Sequence, residues 1–255
     1  MVVTTGFGQE ARTDSEHHYF HKEPIPKPHV AAWSYSGDTG PVHWGNLCPD
    51  YALAKDGKRQ SPINIEGTEP EPSPRIVFNY CPSKINLVYN GHTIEEAEEE
   101  GSSIAVAGRC FELKQFHFHA PSEHAINGKH AAMEMHLVHK DDAGRVAVIG
   151  VMINEGNHNP AFDALWQFLP TEGNKERQFE QTVDATDLLP KAREYFHYMG
   201  SFTTPPCTEG VFWYVLRSPI ELSAKQIAKF TGIINNNNRP IQALNDRPLT
   251  ESTRP

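Results

Sequence analysis

Basic side chains are in short supply: 23 Lys and Arg stand against 32 Asp and Glu in 255 residues, a formal net charge of −9. A chain with that balance does not advertise a surface for phosphate backbones, so nucleic acid is not an expected partner. No apolar run approaches the roughly 18 residues that a membrane-spanning helix needs. Cysteine is scarce, with four residues (Cys48, Cys81, Cys110 and Cys207) and no CxxC; spacings this wide do not read as a zinc ribbon. HExxH, GxSxG, a Walker loop and a GxGxxG following a strand are all missing, which removes the commonest sequence signatures of hydrolases, phosphate binders and dinucleotide enzymes. No secretory signal is visible at Met1.

The length is ordinary for one large β domain and sufficient to bury a core without staples. Residues 1–30 are polar and end in "KEPIPKPH", whose alternating prolines fix φ and remove donors, so a surface tail is expected there and a single domain over 31–255. Strand signals dominate the middle: "RIVFNY", "KINLVYN", "SIAVAG", "CFELKQFHFHA", "AAMEMHLVHK", "VAVIGVMI" and "GVFWYVL" are short, rich in β-branched and aromatic residues, and bounded by turn formers. Helical signals are few, "NPAFDALWQFL" from Asn159 and "SAKQIAKFTGII" with Ser223 as its N-cap. The fold class read from this is mainly β with peripheral helices (α+β). "EEAEEE" at Glu95–Glu100 reads as a solvated acidic patch, and "NNNN" at Asn235–Asn238 as an irregular loop.

Fourteen histidines are many, and two of them sit one residue apart in "LKQFHFHAPSEH". On a strand, alternate residues share a face, so Gln115, His117 and His119 point one way and Phe116 and Phe118 the other. "MEMHLVH" repeats the theme with Glu134, His136 and Val138. Pairing the two strands gathers three imidazoles with an amide and a carboxylate beside them. Zinc suits that set: it takes imidazole nitrogen, prefers four ligands, and three neutral ones leave a position open for chemistry. Each ligating ring needs its other N–H held, and Gln115 and Glu134 lie two residues from a histidine on its own face. His-x-His by itself is a weak motif, and two such histidines also suit a polar groove; the third histidine and its acid are what favour a metal.

These segments resemble the α-class carbonic anhydrases. "QFHFH", "SEH" and "MEMHLVH" carry the resemblance together with "WSYSGDTGPVHW" from Trp33, "QSPINI" from Gln60, "NGHT" from Asn90, "SFTTPPCTEGVFW" from Ser201 and "NNRPIQ" from Asn237, in the family's order up to about Pro248. The resemblance implies a single domain around a large, mostly antiparallel, twisted sheet with Zn2+ at the bottom of a conical cleft. The activity it implies is reversible hydration of carbon dioxide to bicarbonate and a proton, by attack of a zinc-bound hydroxide. His117, His119 and His136 fall on the zinc-ligand positions, Gln115 and Glu134 on those of their partners, and a main-chain carbonyl near Asn237 is expected to hold His136. Thr203 and Glu123 match the pair that orients the nucleophile. His92 matches the proton shuttle, although after Asn-Gly it also reads as a hairpin residue. Tyr35, Asn90 and Thr204 match positions that order water, and Val138, Val148, Phe202 and Trp213 match the apolar wall of the substrate pocket.

From the same resemblance come a Cys48–Cys207 disulfide and, with it, a periplasmic or secreted location. Cys81 and Cys110 depart from the family pattern and are free, paired with each other, or bridging two chains. Sulfonamides and small anions are implied inhibitors, and a homodimer is one implied assembly. Two other readings remain: a zinc hydrolase acting on esters or peptides, for which no substrate-groove signature is present, and a non-catalytic binding module on the same fold, which is expected to lack a ligand histidine.

Overall fold

The computed structural model describes Met1 and residues 31–170 and 175–253. The tail expected over residues 1–30 falls, apart from Met1, outside the described residues. The rest is organised by a sheet of 12 strands. From one edge its order runs Lys175–Val183, Ser83–Tyr89, Ile94–Ala97, Arg109–His119, Met133–Lys140, Val146–Glu155, Glu209–Leu222, Tyr195–Ser201, Thr250–Thr253 and Glu69–Pro72. Ser103–Val106 also pairs with Arg109–His119, and Val77–Asn79 pairs with Ser103–Val106. All contacts are antiparallel except Val146–Glu155 with Glu209–Leu222 and Thr250–Thr253 with Glu69–Pro72. The mostly antiparallel sheet implied by the resemblance is therefore present, with every strand signal read from the sequence inside it.

Periodicity explains how this sheet divides its two faces. Phe116 and Phe118 are buried in the larger apolar cluster with Leu137, Ile149 and Phe162. The intervening His117 and His119 turn to the other face, where a smaller cluster holds Val148, Tyr198 and Trp213. "VAVIGVMI" has no alternation because Ala147–Ile153 is buried on both sides, as a central strand should be. The two helical segments read from the sequence pack on the larger cluster through Phe162, Leu165, Trp166 and Phe230. Ala224–Thr231 starts from Ser223, whose hydroxyl and Gln226 form a reciprocal capping box. The helical signal from Asn159 is realised in two short pieces, Pro160–Phe162 as a 3-10 turn and Asp163–Gln167 as α-helix, with Asn159 capping the first.

Two expectations are corrected. "EEAEEE" is not uniformly solvated: Ile94–Ala97 is a strand, and Glu96 is 0 % exposed, its carboxylate accepting the Asn86 N–H at 2.9 Å and 3.1 Å. Burial, opposed by that hydrogen bond, pushes the Glu96 carboxyl up to about 8. Second, Cys48 and Cys207 are both free thiols, so the implied disulfide is not formed. Cys81 and Cys110 are also free and exposed. The register excludes a bond between those two. Cys110 lies level with Ala105; Cys81 lies past the end of Val77–Asn79, its N–H on Ser102 Oγ at 3.1 Å, and Ser102 faces Leu113, three residues or about 10 Å of strand from Cys110, beyond a disulfide's reach.

Candidate metal centre and its hydrogen-bonded surround

The antiparallel register between the two histidine strands sets His136 directly opposite His117 and Glu134 opposite His119. Cross-strand partners share a face, so three imidazoles meet on one patch. Their ligand atoms lie within 4.8 Å of one another. Ring centroids are 5.0 Å apart for His117 and His119, 5.3 Å for His117 and His136, and 4.6 Å for His119 and His136.

Each ring has one nitrogen engaged. His117 Nδ1 bonds Gln115 Oε1 at 2.7 Å, His119 Nδ1 bonds the Asn237 carbonyl at 2.6 Å, and His136 Nε2 bonds Glu134 Oε1 at 2.9 Å. These acceptors fix the tautomers, leaving lone pairs on His117 Nε2, His119 Nε2 and His136 Nδ1. The expectation that the Asn237 carbonyl holds His136 is thus corrected: it holds His119, and Glu134 holds His136. Asn237 reaches His119 because it clamps the end of that strand. Its Oδ1 accepts from Ala120 N at 2.8 Å and its Nδ2 donates to Phe118 O at 2.9 Å and His92 O at 3.2 Å.

Burial lowers the pKa of all three rings, that of His119 to about 4, so they are neutral donors at physiological pH. His119 Nε2 is buried with no hydrogen-bond partner. A buried imidazole lone pair with nothing to accept is costly unless something binds it. Three neutral, converging, pre-oriented nitrogens fit a divalent zinc ion. His124, Glu134 and His136 also converge, but their contacts are hydrogen bonds to one another.

Glu134 ties this centre to the protein. Its Oε2 accepts Glu123 N at 2.9 Å and His124 N at 2.8 Å, while Oε1 accepts His124 Nδ1 at 2.7 Å as well as His136. Burial would raise its pKa, yet His124 and His136 hold it well below the usual carboxylate range. From His124 a buried chain continues: Nε2 to the Tyr198 hydroxyl at 2.7 Å, and Tyr198 to Ser61 Oγ at 2.8 Å. Ser61 and Ser201 then exchange backbone and hydroxyl bonds at 2.9 Å and 3.1 Å. Ser201 opens the segment that carries Phe202, Thr203 and Thr204. Sequence reasoning assigned no role to His124, Tyr198, Ser61 or Ser201. Three of them sit inside quoted motifs, but Ser61 and Tyr198 are 137 residues apart, and no local spacing signals such a contact.

Glu123 lies on the open side of the imidazoles, with Oε2 3.6 Å from His119 Nε2 and 3.9 Å from His136 Nδ1, and Oε1 bonded to Arg239 N at 2.8 Å. Burial raises its pKa to about 7 against the lowering influence of His136, Arg239 N–H and the Thr203 hydroxyl. Thr203 is therefore next to the carboxylate, although Oε2 finds no partner of full hydrogen-bond geometry. Val148 and Trp213 are buried behind this point, with Val138 and Phe202 packed against the same cluster, and the Trp213 ring is 4.9 Å from that of His136.

His92 occupies a hairpin after Ser83–Tyr89. Gly91 takes φ +87°, where glycine is unstrained, and Asn90 Oδ1 accepts both His92 N and Thr93 N at 2.9 Å. Asn90 is thus a turn residue as well as a candidate water-ordering group. The half-buried His92 ring stacks on Trp33, centroids 3.6 Å apart and planes 9° apart, and burial lowers its pKa. Tyr35 stands edge-on to Trp33 at 5.4 Å, its hydroxyl made less acidic by burial, Glu123 and Cys207. Thr204 is half-buried in the turn closed by Cys207 N donating to its carbonyl at 2.8 Å.

Comparison with known proteins gives the family. The chain matches the eukaryotic-type carbonic anhydrase family over residues 39–253. It is 41% identical over 226 residues to a carbonic anhydrase of a Nostoc species, covering 86% of each chain. The solved α-carbonic anhydrase of Thermovibrio ammonificans, in complex with sulfanilamide, superposes with a TM-score of 0.84 at 43% identity, covering 87% of this chain and 99% of that one. Dioscorin complexed with ascorbate superposes at 0.82 with 30% identity, covering 88% of this chain and 100% of that one. The chain belongs to the α-carbonic anhydrase family, and it is by that membership a lyase of the carbon dioxide hydration class.

Proposed function

We propose that His117 Nε2, His119 Nε2 and His136 Nδ1 hold zinc and that the protein interconverts carbon dioxide and water with bicarbonate and a proton. The observation that carries this is the set of three buried, neutral imidazoles whose outer nitrogens are fixed by Gln115, Asn237 and Glu134 and whose inner lone pairs converge. Zinc supplies a Lewis acid that acidifies water to about 7, a value long established for carbonic anhydrases in general.

The chain's own residues do the rest. With its proton directed to Glu123, the Thr203 oxygen acts only as an acceptor; it then accepts a hydrogen bond from the attacking oxygen and aims that oxygen's lone pair at the wall of Val138, Val148, Phe202 and Trp213. Carbon dioxide has no charge or net dipole, so an apolar wall suits it. The proton released in each cycle must leave, and His92, on the hairpin at the outer edge, is the carrier: an imidazole gains and loses a proton near neutral pH. Tyr35, Asn90 and Thr204 order water between. Sulfonamides and small anions compete for the same open position, in line with the sulfanilamide complex of the Thermovibrio relative.

Stopped-flow carbon dioxide hydration, run with metal analysis before and after chelation, tests the proposal. About one zinc per chain, loss of activity on its removal and recovery on its return are expected. A zinc-loaded protein without hydratase activity would turn the reading toward a non-catalytic module.

A further inference from the structure

Arg75, Lys191 and Arg193 line a single cavity of about 360 Å3. It lies across the sheet from the histidines: Tyr195 forms part of its wall and belongs to the larger apolar cluster, whereas Tyr198, an odd number of residues along the same strand, faces the metal centre. Three cations in one hollow are unexpected on a chain of net charge −9. Like charges are brought together at a cost unless an anion answers them.

The cavity is pre-formed. The Tyr195 hydroxyl donates to the Pro74 carbonyl at 2.6 Å and the Tyr195 N–H to Ser252 Oγ at 2.7 Å, tying three of its walls together. Arg193 is its anchored cation. Its guanidinium carbon lies 5.2 Å from the Phe78 ring centroid, and its Nη1 is buried with no hydrogen-bond partner among the described residues. A guanidinium is a rigid fork of donors matched to two oxygens of one carboxylate or phosphate. Glu194 is the one carboxylate among the lining residues. A bare inorganic ion would fill a small part of the volume; the exposed Pro74 and half-buried Ala192 offer an apolar surface beside the cations.

We propose that this cavity binds a small organic oxyanion, its carboxylate or phosphate gripped by Arg193, Arg75 and Lys191 and its apolar body lying on Pro74 and Ala192. None of these residues belongs to the hydration machinery, so the proposal stands independently of that reading.

Calorimetric titration of the holoenzyme saturated with sulfanilamide, so that the metal's open position is blocked, with phenyl phosphate and with benzoate tests it. One equivalent of either is expected to bind, the tighter one naming the headgroup. Arg193→Gln and the double variant Arg75→Ala/Lys191→Ala are each expected to weaken binding at least tenfold while carbon dioxide hydration is unchanged. The double variant alters exposed side chains and guards against misfolding of the first. No binding of either probe at millimolar concentration, binding indifferent to the double variant, or binding that vanishes only when the metal is removed would each overturn the proposal.

Discussion

The Tyr198 hydroxyl lies 2.7 Å from His124 Nε2 and 2.8 Å from Ser61 Oγ and bridges the two. Glu134 is ionised and only accepts, so His124 presents its Nδ1–H to it. Tyr198 has one proton for two neighbours, so it donates one of its bonds and accepts the other. The same Glu134 oxygen that receives His124 also receives His136. Tyr198→Phe leaves His124 Nε2 without a partner and Ser61 Oγ with only the Ser201 N–H. The expected loss is about 1–3 kcal/mol of stability. Groups that directly support a metal ligand are worth roughly 10–100-fold in affinity; Tyr198 acts through two intermediaries, so zinc release to a chelator should quicken toward the lower end of that range. Thermal unfolding and chelator kinetics give the two readouts, and an unchanged zinc half-life would refute the coupling.

The His92 ring is held by stacking on Trp33, and its backbone by the turn and by Asn237 Nδ2. His92→Ala should lower turnover in weak buffer by roughly a hundredfold, the low end of general acid–base effects. The isotope exchange between carbon dioxide and bicarbonate, which needs no proton export, should be spared. Added imidazole should restore turnover. Equal turnover of wild type and variant in weak buffer would assign the proton to another carrier.

Glu96 predicts a pH dependence of stability. Burial raises its carboxyl from an ordinary 4.5 to about 8. Between those values the folded chain keeps a proton that the unfolded chain has lost, so stability is full below the lower value and falls as pH rises through the upper one. Glu98, pushed up to about 7 by burial and by Asp184, acts in the same direction. The shift bounds the Glu96 effect at a few kcal/mol. Glu96→Gln keeps an acceptor for Asn86 N–H and removes the titration. Its melting temperature should hold up better than wild type between pH 6 and 9; parallel curves would show that Glu96 is not the titrating group.

What was legible in the sequence follows one physical line. A period of two places every side chain of a strand on one of two faces, and it correctly separated His117 and His119 from Phe116 and Phe118 and put Gln115 and Glu134 beside their rings. Contacts between distant segments have no such period. The Asn237 carbonyl was given to the wrong histidine because only the folded loop decides which strand end it clamps, and the Tyr198–Ser61 bond has no local trace. Lys175–Val183 escaped notice because it is an edge strand, exposed at most of its described positions and without alternation. Glu69–Pro72, "EPEP", reads as loop, yet the opposite edge of the sheet tolerates its prolines. Glu96 was misjudged from its acidic neighbours, although its place in a strand, not local composition, sets its burial.

The cysteines give the last prediction. The Cys207 thiol is buried, and burial pushes it up to about 11, so almost none is thiolate at neutral pH. Thiolate is the species that alkylates, and access is needed as well. Cys81 and Cys110 are exposed, Cys48 half-buried. Brief iodoacetamide treatment of the native protein, followed by digestion and mass spectrometry, should label Cys81 and Cys110 first, Cys48 more slowly and Cys207 only after unfolding. Early labelling of Cys207 would mean that the Thr203–Cys207 turn opens readily. That turn presents Thr203 to Glu123, so its opening should also appear as faster amide exchange at Cys207, whose N–H is bonded to Thr204 O. Protection at both probes is the expected result.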